Sequence, residues 1–148
     1  MINMNNNMVA VIDFGSQYTQ LIARRIRELN VFSEIYPHSV TKDDLINNNI
    51  KAIILSGGPS SVYESNAPDL DKTILEMDCP ILGICYGLQL LIQKHGGKVI
   101  SSGKGEYGFE KIKIKNSSCI LNGFSQDSQV WMSHGDKVEN TSKYWETL

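Results

Sequence analysis

The sequence lacks any apolar run approaching the roughly 20 residues that a membrane-spanning helix requires. Its opening, Met1-Ile2-Asn3-Met4-Asn5-Asn6-Asn7, is polar and has no apolar core of the kind that makes a secretory signal. A cytoplasmic location without membrane association is therefore the expectation. Positive charge is not in excess either: 14 Lys and Arg stand against 16 Asp and Glu, for a net charge of -2. No basic field is available to hold a nucleic-acid backbone, so nucleic acid is not expected as a partner. Cysteine is sparse and unpatterned. Cys79, Cys85 and Cys119 form neither a CxxC pair nor a Cys/His ligand spacing, which argues against a disulfide framework and against a zinc or other metal site. Free thiols in a reducing compartment fit better. No internal repeat, linker or second domain is visible, and 148 residues with 41% hydrophobic content suit one soluble domain.

Within that domain, apolar runs alternate with helical patterns. Residues 1–7 show no hydrophobic periodicity and read as a disordered terminus, leaving 8–148 as the domain. Met8-Val9-Ala10-Val11-Ile12 is a short β-branched run suited to a strand buried on both faces. Tyr18, Leu21, Ile22, Ile26 and Leu29 then recur at helical spacing, with Ser16 placed to cap the start. Val31 to Tyr36 reads as a second strand, and Thr41-Lys42-Asp43-Asp44 as a capping box opening a short helix. Ala52-Ile53-Ile54-Leu55 is a third strand, a helix is predicted from about Asp69 to Glu76, and Pro80 to Ile84 is a fourth strand. A helix follows from Tyr86 to His95, stopped by Gly96-Gly97. This alternation predicts an α/β fold with a doubly wound, mainly parallel sheet. Farther on, Phe109 to Lys115 alternates with period two and predicts a half-exposed edge strand or small antiparallel side element, with Gln129 to Met132 as another short strand.

Gly83-Ile84-Cys85-Tyr86-Gly87 lies between a buried strand and a helix, and has the form of a nucleophile elbow carrying Cys. Its glycines leave room for a strained turn, and the thiol would project at the carboxyl end of the sheet. The helix N-terminus would favour the thiolate, and the Tyr86 N–H could face a developing oxyanion. The competing reading makes Cys85 a small buried residue among packing glycines. Ser56-Gly57-Gly58-Pro59 ends another strand and offers a second oxyanion donor, or else an ordinary Gly-Pro turn. A base is harder to find. His95 lies about 15 Å along the helix from Cys85, too far to reach. His38 reads as a solvated loop residue. His134, in Ser133-His134-Gly135-Asp136, is the remaining candidate, against the alternative of a structural turn histidine. Asp13-Phe14-Gly15 has no accompanying phosphate loop, and Arg24, Arg25 and Arg27 read as a solvated or interface cluster.

Taken together, Asp13 to Leu21 with Arg24-Arg25, Ile54-Leu55-Ser56-Gly57-Gly58-Pro59, Gly83 to Gln89, and Val130 to Val138 resemble the class I (triad) glutamine amidotransferases. The first and last of these segments point, within that family, to the amidotransferase domain of glutamine-hydrolysing GMP synthases. The resemblance covers roughly Met8 to Val138. It implies that Cys85 attacks the glutamine side-chain amide to give a γ-glutamyl thioester and ammonia, with the backbone N–H groups of Gly58 and Tyr86 as oxyanion hole. It places Gln89, Ser133, His134 and Asp136 at the bound L-glutamine, with His134 positioning substrate more than acting as base. It also implies an ATP-pyrophosphatase synthetase domain that binds ATP and magnesium and aminates XMP to GMP, absent from this chain, and a homodimer in the full enzyme. No cofactor is expected in this chain. The family's His-Pro-Glu motif does not occur in the sequence, and Thr141 to Leu148 does not resemble the family's continuation. The expectation is a domain whose C-terminal part is missing, inactive alone. Alternatives are a non-catalytic glutamine-binding or regulatory module, an amidotransferase subunit of another pathway, or a thiol-dependent α/β hydrolase.

Overall fold

A computed structural model describes residues 8–148, with backbone only at 102–106. The terminus expected to be disordered, 1–7, lies outside the described residues. These residues form two compact units, one ending at Leu91 and the other running from Ile92 to Leu148.

The first unit is built on a four-stranded parallel sheet in the order β2-β1-β3-β4. Strand β1 is Met8–Asp13, β2 Phe32–Pro37, β3 Ile50–Leu55 and β4 Ile81–Gly83. Ala10, Val11 and Ile12 of β1 and Ile53 and Leu55 of β3 are buried, as their uninterrupted apolar runs predict for central strands. Helix α1 is Thr19–Glu28 and α2 is Lys42–Asn47. The chain steps from β1 out to β2 in one direction, then across to β3 and on to β4 in the other. With right-handed crossovers, α1 and the later connections therefore take opposite faces, which makes the sheet doubly wound. The switch point falls between β1 and β3, and their carboxyl-end loops border the crevice where such sheets bind ligands.

Ser56 closes that switch point. It is fully buried. Its N–H donates to the Ile12 carbonyl at 3.0 Å, while its Oγ accepts from the Phe14 N–H at 3.1 Å and donates to the Gly57 carbonyl at 2.9 Å. One side chain thus binds the end of β1 to the end of β3.

Two local expectations need correction. Helix α1 does not start on a Ser16 cap. Its N-cap is Tyr18, with no side-chain cap bond, and Ser16 Oγ instead accepts from the Tyr18 N–H at 3.1 Å. The cause is Asp13, whose Oδ1 accepts from the Gly15 N–H at 2.9 Å and the Thr19 hydroxyl at 2.7 Å, wrapping residues 13–18 into a turn that delays the helix. The helix predicted at 69–76 is only a short 3₁₀ segment, Lys72–Glu76. Asp71 caps it as a helix start should, but Met77 is already extended ahead of Pro80, which leaves no room for a further turn. The Thr41–Asp44 capping box forms as expected. The arginine cluster divides: Arg24 and Arg25 pair with Glu28 in solvent, while Arg27 clamps the Ser33 carbonyl of β2 at 2.8 Å.

Helix α3, Tyr86–Lys94, runs from the first unit into the second. Gly96, at a φ of 78°, ends the helix, and the Gly97 N–H returns to the Ile92 carbonyl at 2.9 Å. The second unit is a long antiparallel hairpin of β5, Lys98–Lys111, and β6, Gln129–Asn140. It is the small antiparallel element expected, with different bounds. Strand β5 stops at Lys111, which pairs with Gln129, the first residue of β6; beyond it the Ile112 N–H still donates to the Ser128 carbonyl at 3.1 Å, while Ile114 bonds the Gln126 side chain in place of a strand. Phe109 faces Trp131 across the hairpin, and both are exposed.

Replacing Ser56 with Ala strands the buried Phe14 N–H without its acceptor. Urea denaturation should show a loss of about 1–3 kcal/mol with an unchanged slope; a loss below about 0.5 kcal/mol would contradict the role given to this side chain.

Candidate active site

Strand β4 ends in a turn that only a particular set of residues can make. Cys85 sits at a φ of 48°, in the left-handed region that costs a non-glycine residue roughly 1–3 kcal/mol. Its flanking glycines are sterically required. A Cβ on Gly83 would lie 2.6 Å from the Leu88 backbone nitrogen, and one on Gly87 would lie 2.5 Å from the Leu55 carbonyl oxygen. The turn is pinned by the Ile84 N–H donating to the Leu55 carbonyl at 3.0 Å and by the Gly87 N–H shared between the Ser56 and Ile84 carbonyls at 3.1 and 3.0 Å. The Cys85 carbonyl accepts from the Gln89 N–H at 3.0 Å, the first bond of α3.

The loop after β3 comes directly against this elbow. A Cβ built on Gly57 would be 3.5 Å from Cys85 Cβ and 3.7 Å from Ser16 Oγ, so the loops after β1, β3 and β4 converge on the thiol. Gly58 packs so tightly on the β1 loop that a Cβ there would stand 2.5 Å from the Phe14 carbonyl oxygen. Tyr86 is the first residue of α3, and N–H groups of a first helical turn have no acceptor within the helix. Cys85, Gly58, Tyr86 and Gln89 are therefore gathered in one unit at the carboxyl end of the sheet, with the Gln89 side chain buried a turn into the helix.

The thiol itself departs from expectation. Cys85 is exposed, yet the loops around it remove part of its water, and this burial pushes its pKa above the ordinary thiol value. That is opposite in direction to what the helix N-terminus alone predicts.

Ser133, His134 and Asp136 lie in the second unit, in the middle of β6, so His134 is not the turn histidine of the alternative reading. They pair across the hairpin with Tyr107, Glu106 and Ser101. Strand pairing overrides the turn tendency of Gly135-Asp136. The alternation of β6 puts His134 and Asp136 on its more buried face and Ser133 on its exposed face, so these residues do not act from one side. His95 stands edge-on to Trp145 with ring centroids 5.8 Å apart. His38 is exposed and lies stacked on Phe14 at 6.4 Å. Among the described residues, no group of three His, Cys, Asp or Glu could hold a metal ion, and no helix is long and apolar enough to cross a membrane. The contributions missed at the level of sequence are those of Asp13, Phe14 and Ser56. An Asp two residues before a Gly was the available sign of the first.

A parallel sheet whose fourth strand ends in a strained cysteine elbow, with a Gly-Gly loop against the thiol, defines a class of protein, and residues 10–148 match its profile, glutamine amidotransferase class-I. The chain belongs to that family. It is similar to the glutamine-hydrolyzing GMP synthase of Brachyspira hyodysenteriae, 52% identical over 147 residues, covering 98% of this chain and 29% of the relative. To that of Natranaerobius thermophilus it is 53% identical over 136 residues, covering 92% of this chain and 27% of the relative. Among solved structures, a protein of Thermoplasma acidophilum described as a component of GMP synthase matches with a TM-score of 0.82 at 29% identity, covering 93% of this chain and 69% of that one. The chain thus spans less than a third of the length of the curated relatives it matches.

Two outcomes follow from the elbow. Cys85→Gly relieves the left-handed strain that Cys85→Ala retains, so the glycine variant should be the more stable of the two by about 1 kcal/mol in denaturant melts; the reverse order would contradict the strain. Alkylation of Cys85 by iodoacetamide, followed by peptide mass spectrometry, should rise with pH and reach half its maximum above the ordinary thiol pKa of roughly 8.5. A midpoint near neutrality would show that the helix terminus outweighs burial.

Proposed function

We propose that this chain is the glutamine-hydrolysing portion of a GMP synthase and that Cys85 is its nucleophile. The observation that carries the proposal is the strained Cys85 elbow with Gly57 against it, where an added Cβ would stand 3.5 Å from Cys85 Cβ. In this reading the side-chain amide carbon of L-glutamine lies against the sulfur, with its oxygen toward the N–H groups of Gly58 and Tyr86. The thiolate forms a carbon–sulfur bond and the carbonyl electrons move onto oxygen, where the two N–H groups stabilise them. As they return, the carbon–nitrogen bond breaks, and ammonia leaves after taking a proton. Water then hydrolyses the γ-glutamyl thioester to glutamate and restores the thiol. This thiol chemistry calls on no cofactor.

Gln89, Ser133, His134 and Asp136 are proposed to contact glutamine on the strength of the family resemblance. The opposite facing of Ser133 and His134 on β6 counts against those two working side by side. ATP, magnesium and XMP are assigned to a part of the longer protein outside these residues, where ammonia would be consumed. No residue of this chain is assigned to them. A homodimer of the longer protein belongs to the same proposal, as does a cytoplasmic setting.

Acyl transfer through a thiol calls for a general base, and the sequence contains no His-Pro-Glu. We therefore propose that the 148-residue chain turns over glutamine poorly by itself. Glutamate release by the purified chain should fall roughly 10²–10⁴-fold below that of an intact amidotransferase, the usual worth of a general base, and the residue of activity should vanish in Cys85→Ala. A rate near that of the intact enzyme would overturn the low-turnover proposal. A residual rate indifferent to Cys85→Ala would overturn the assignment of the nucleophile.

A further inference from the structure

The residue after the nucleophile has a side chain whose placement the oxyanion chemistry does not explain. Tyr86 is an aromatic at the first position of a helix, 2% exposed, beneath a turn that needs only its backbone. Its ring meets the ring of Phe14 with centroids 5.3 Å apart at an angle of 43°. Its hydroxyl donates to the carbonyl of Pro68, in the long connection between β3 and β4. Burial, with Asp69 and Glu64 nearby, pushes the phenol pKa up to about 12, so the proton needed for that bond stays in place across the neutral range.

Phe14 is in turn braced against the β3 loop from two sides. Its N–H donates to Ser56 Oγ at 3.1 Å, and its carbonyl abuts Gly58 so closely that a Cβ there would approach to 2.5 Å. The two N–H groups assigned to the oxyanion, those of Gly58 and Tyr86, come from different loops joined by no common strand. The Tyr86 ring connects them: it belongs to the elbow and bears on Phe14, and Phe14 bears on Gly58.

From these contacts we infer that the Tyr86 side chain is a positioning residue that sets the separation of the two oxyanion donors, with Phe14 as its counterpart and Pro68 as the anchor of its hydroxyl. The inference rests on the glutaminase reading of Cys85 and extends it to a side chain with no part in bond making. Truncating the ring would leave Cys85 in place, because Gly83, Gly87 and the bonds to Leu55 and Ser56 hold the elbow independently. It would remove the ring packed on Phe14, leaving Phe14 and the Gly58 that abuts it held to the elbow only through Ser56.

The test compares two reactions of the same sulfur. Alkylation by iodoacetamide is a displacement at saturated carbon and develops no oxyanion. Acylation by the γ-p-nitrophenyl ester of L-glutamate passes through one: sulfur adds to the carbonyl carbon, the ester carbon–oxygen bond breaks, p-nitrophenolate leaves and a thioester remains. Nitrophenolate needs no acid to depart, so its release can be followed in the chain as it stands. In Tyr86→Leu, acylation should fall at least about tenfold relative to alkylation of Cys85, less than the roughly 10²–10³-fold cost of removing an oxyanion donor outright. Tyr86→Phe keeps the ring and should recover most of that ratio, and Phe14→Leu should reproduce the loss from the other side. Near-equal ratios in the wild type, Tyr86→Leu and Phe14→Leu would overturn the inference while leaving the nucleophile intact. Absence of Cys85-dependent acylation in the unsubstituted chain would overturn the glutaminase reading, and this inference with it.

Discussion

A cysteine held at a φ of 48° is the constraint on which the carboxyl end of this sheet is organised. L-residues leave that region readily unless surrounding structure holds them there. Here the holding structure is Leu55, whose carbonyl takes the Ile84 N–H and leaves no space for a side chain on Gly87, together with the start of α3, which leaves none for a side chain on Gly83. Strand β3 thus fixes the turn at the end of β4. The same strand continues into Ser56 and Gly57, and Gly57 lies against the cysteine that the strand has just positioned. Strain, the glycine pair and the donor loop are consequences of one packing arrangement.

The doubly wound topology explains why this works at β4. Strands β1 and β3 send their chains to opposite faces, so the loops at their ends part and leave a crevice between them, while Ser56 keeps that crevice from opening by binding both ends. Asp13 contributes from the other side by wrapping the β1 loop before α1 begins. The cost of the arrangement falls on the thiol. Loops packed this closely also strip water from the sulfur, and that burial pushes the thiol's pKa up.

How much of this is legible in the amino-acid sequence follows from how local each feature is. The four parallel strands, the Thr41 capping box and the Gly-x-Cys-x-Gly elbow are each set by a few adjacent residues, and they form as the sequence predicts, within a residue or two at their ends. Features that depend on distant pairing do not read so directly. Ser133-His134-Gly135-Asp136 has turn-like composition, and only the register with β5 makes it a strand and separates Ser133 from His134. The segment at 69–76 carries a helix cap and helical residues, but it ends after the five 3₁₀ residues Lys72–Glu76, with Met77 already extended. Ser56, Phe14 and Tyr86 matter through contacts between loops far apart in sequence, for which no short motif exists. The direction of the thiol's pKa shift is likewise a property of three converging loops, while the motif alone suggests the reverse.

The central claim is that the converging loops make Cys85 the nucleophile of a glutamine pocket. The most direct measurement is labelling of the purified chain with a diazo-ketone analogue of glutamine, resolved cysteine by cysteine. The account predicts that Cys85 is modified in preference to Cys79 and Cys119, and that free L-glutamine, but not L-glutamate's shorter homologue aspartate, slows the modification. Equal labelling of all three cysteines, or labelling of Cys85 that glutamine fails to slow, would contradict it.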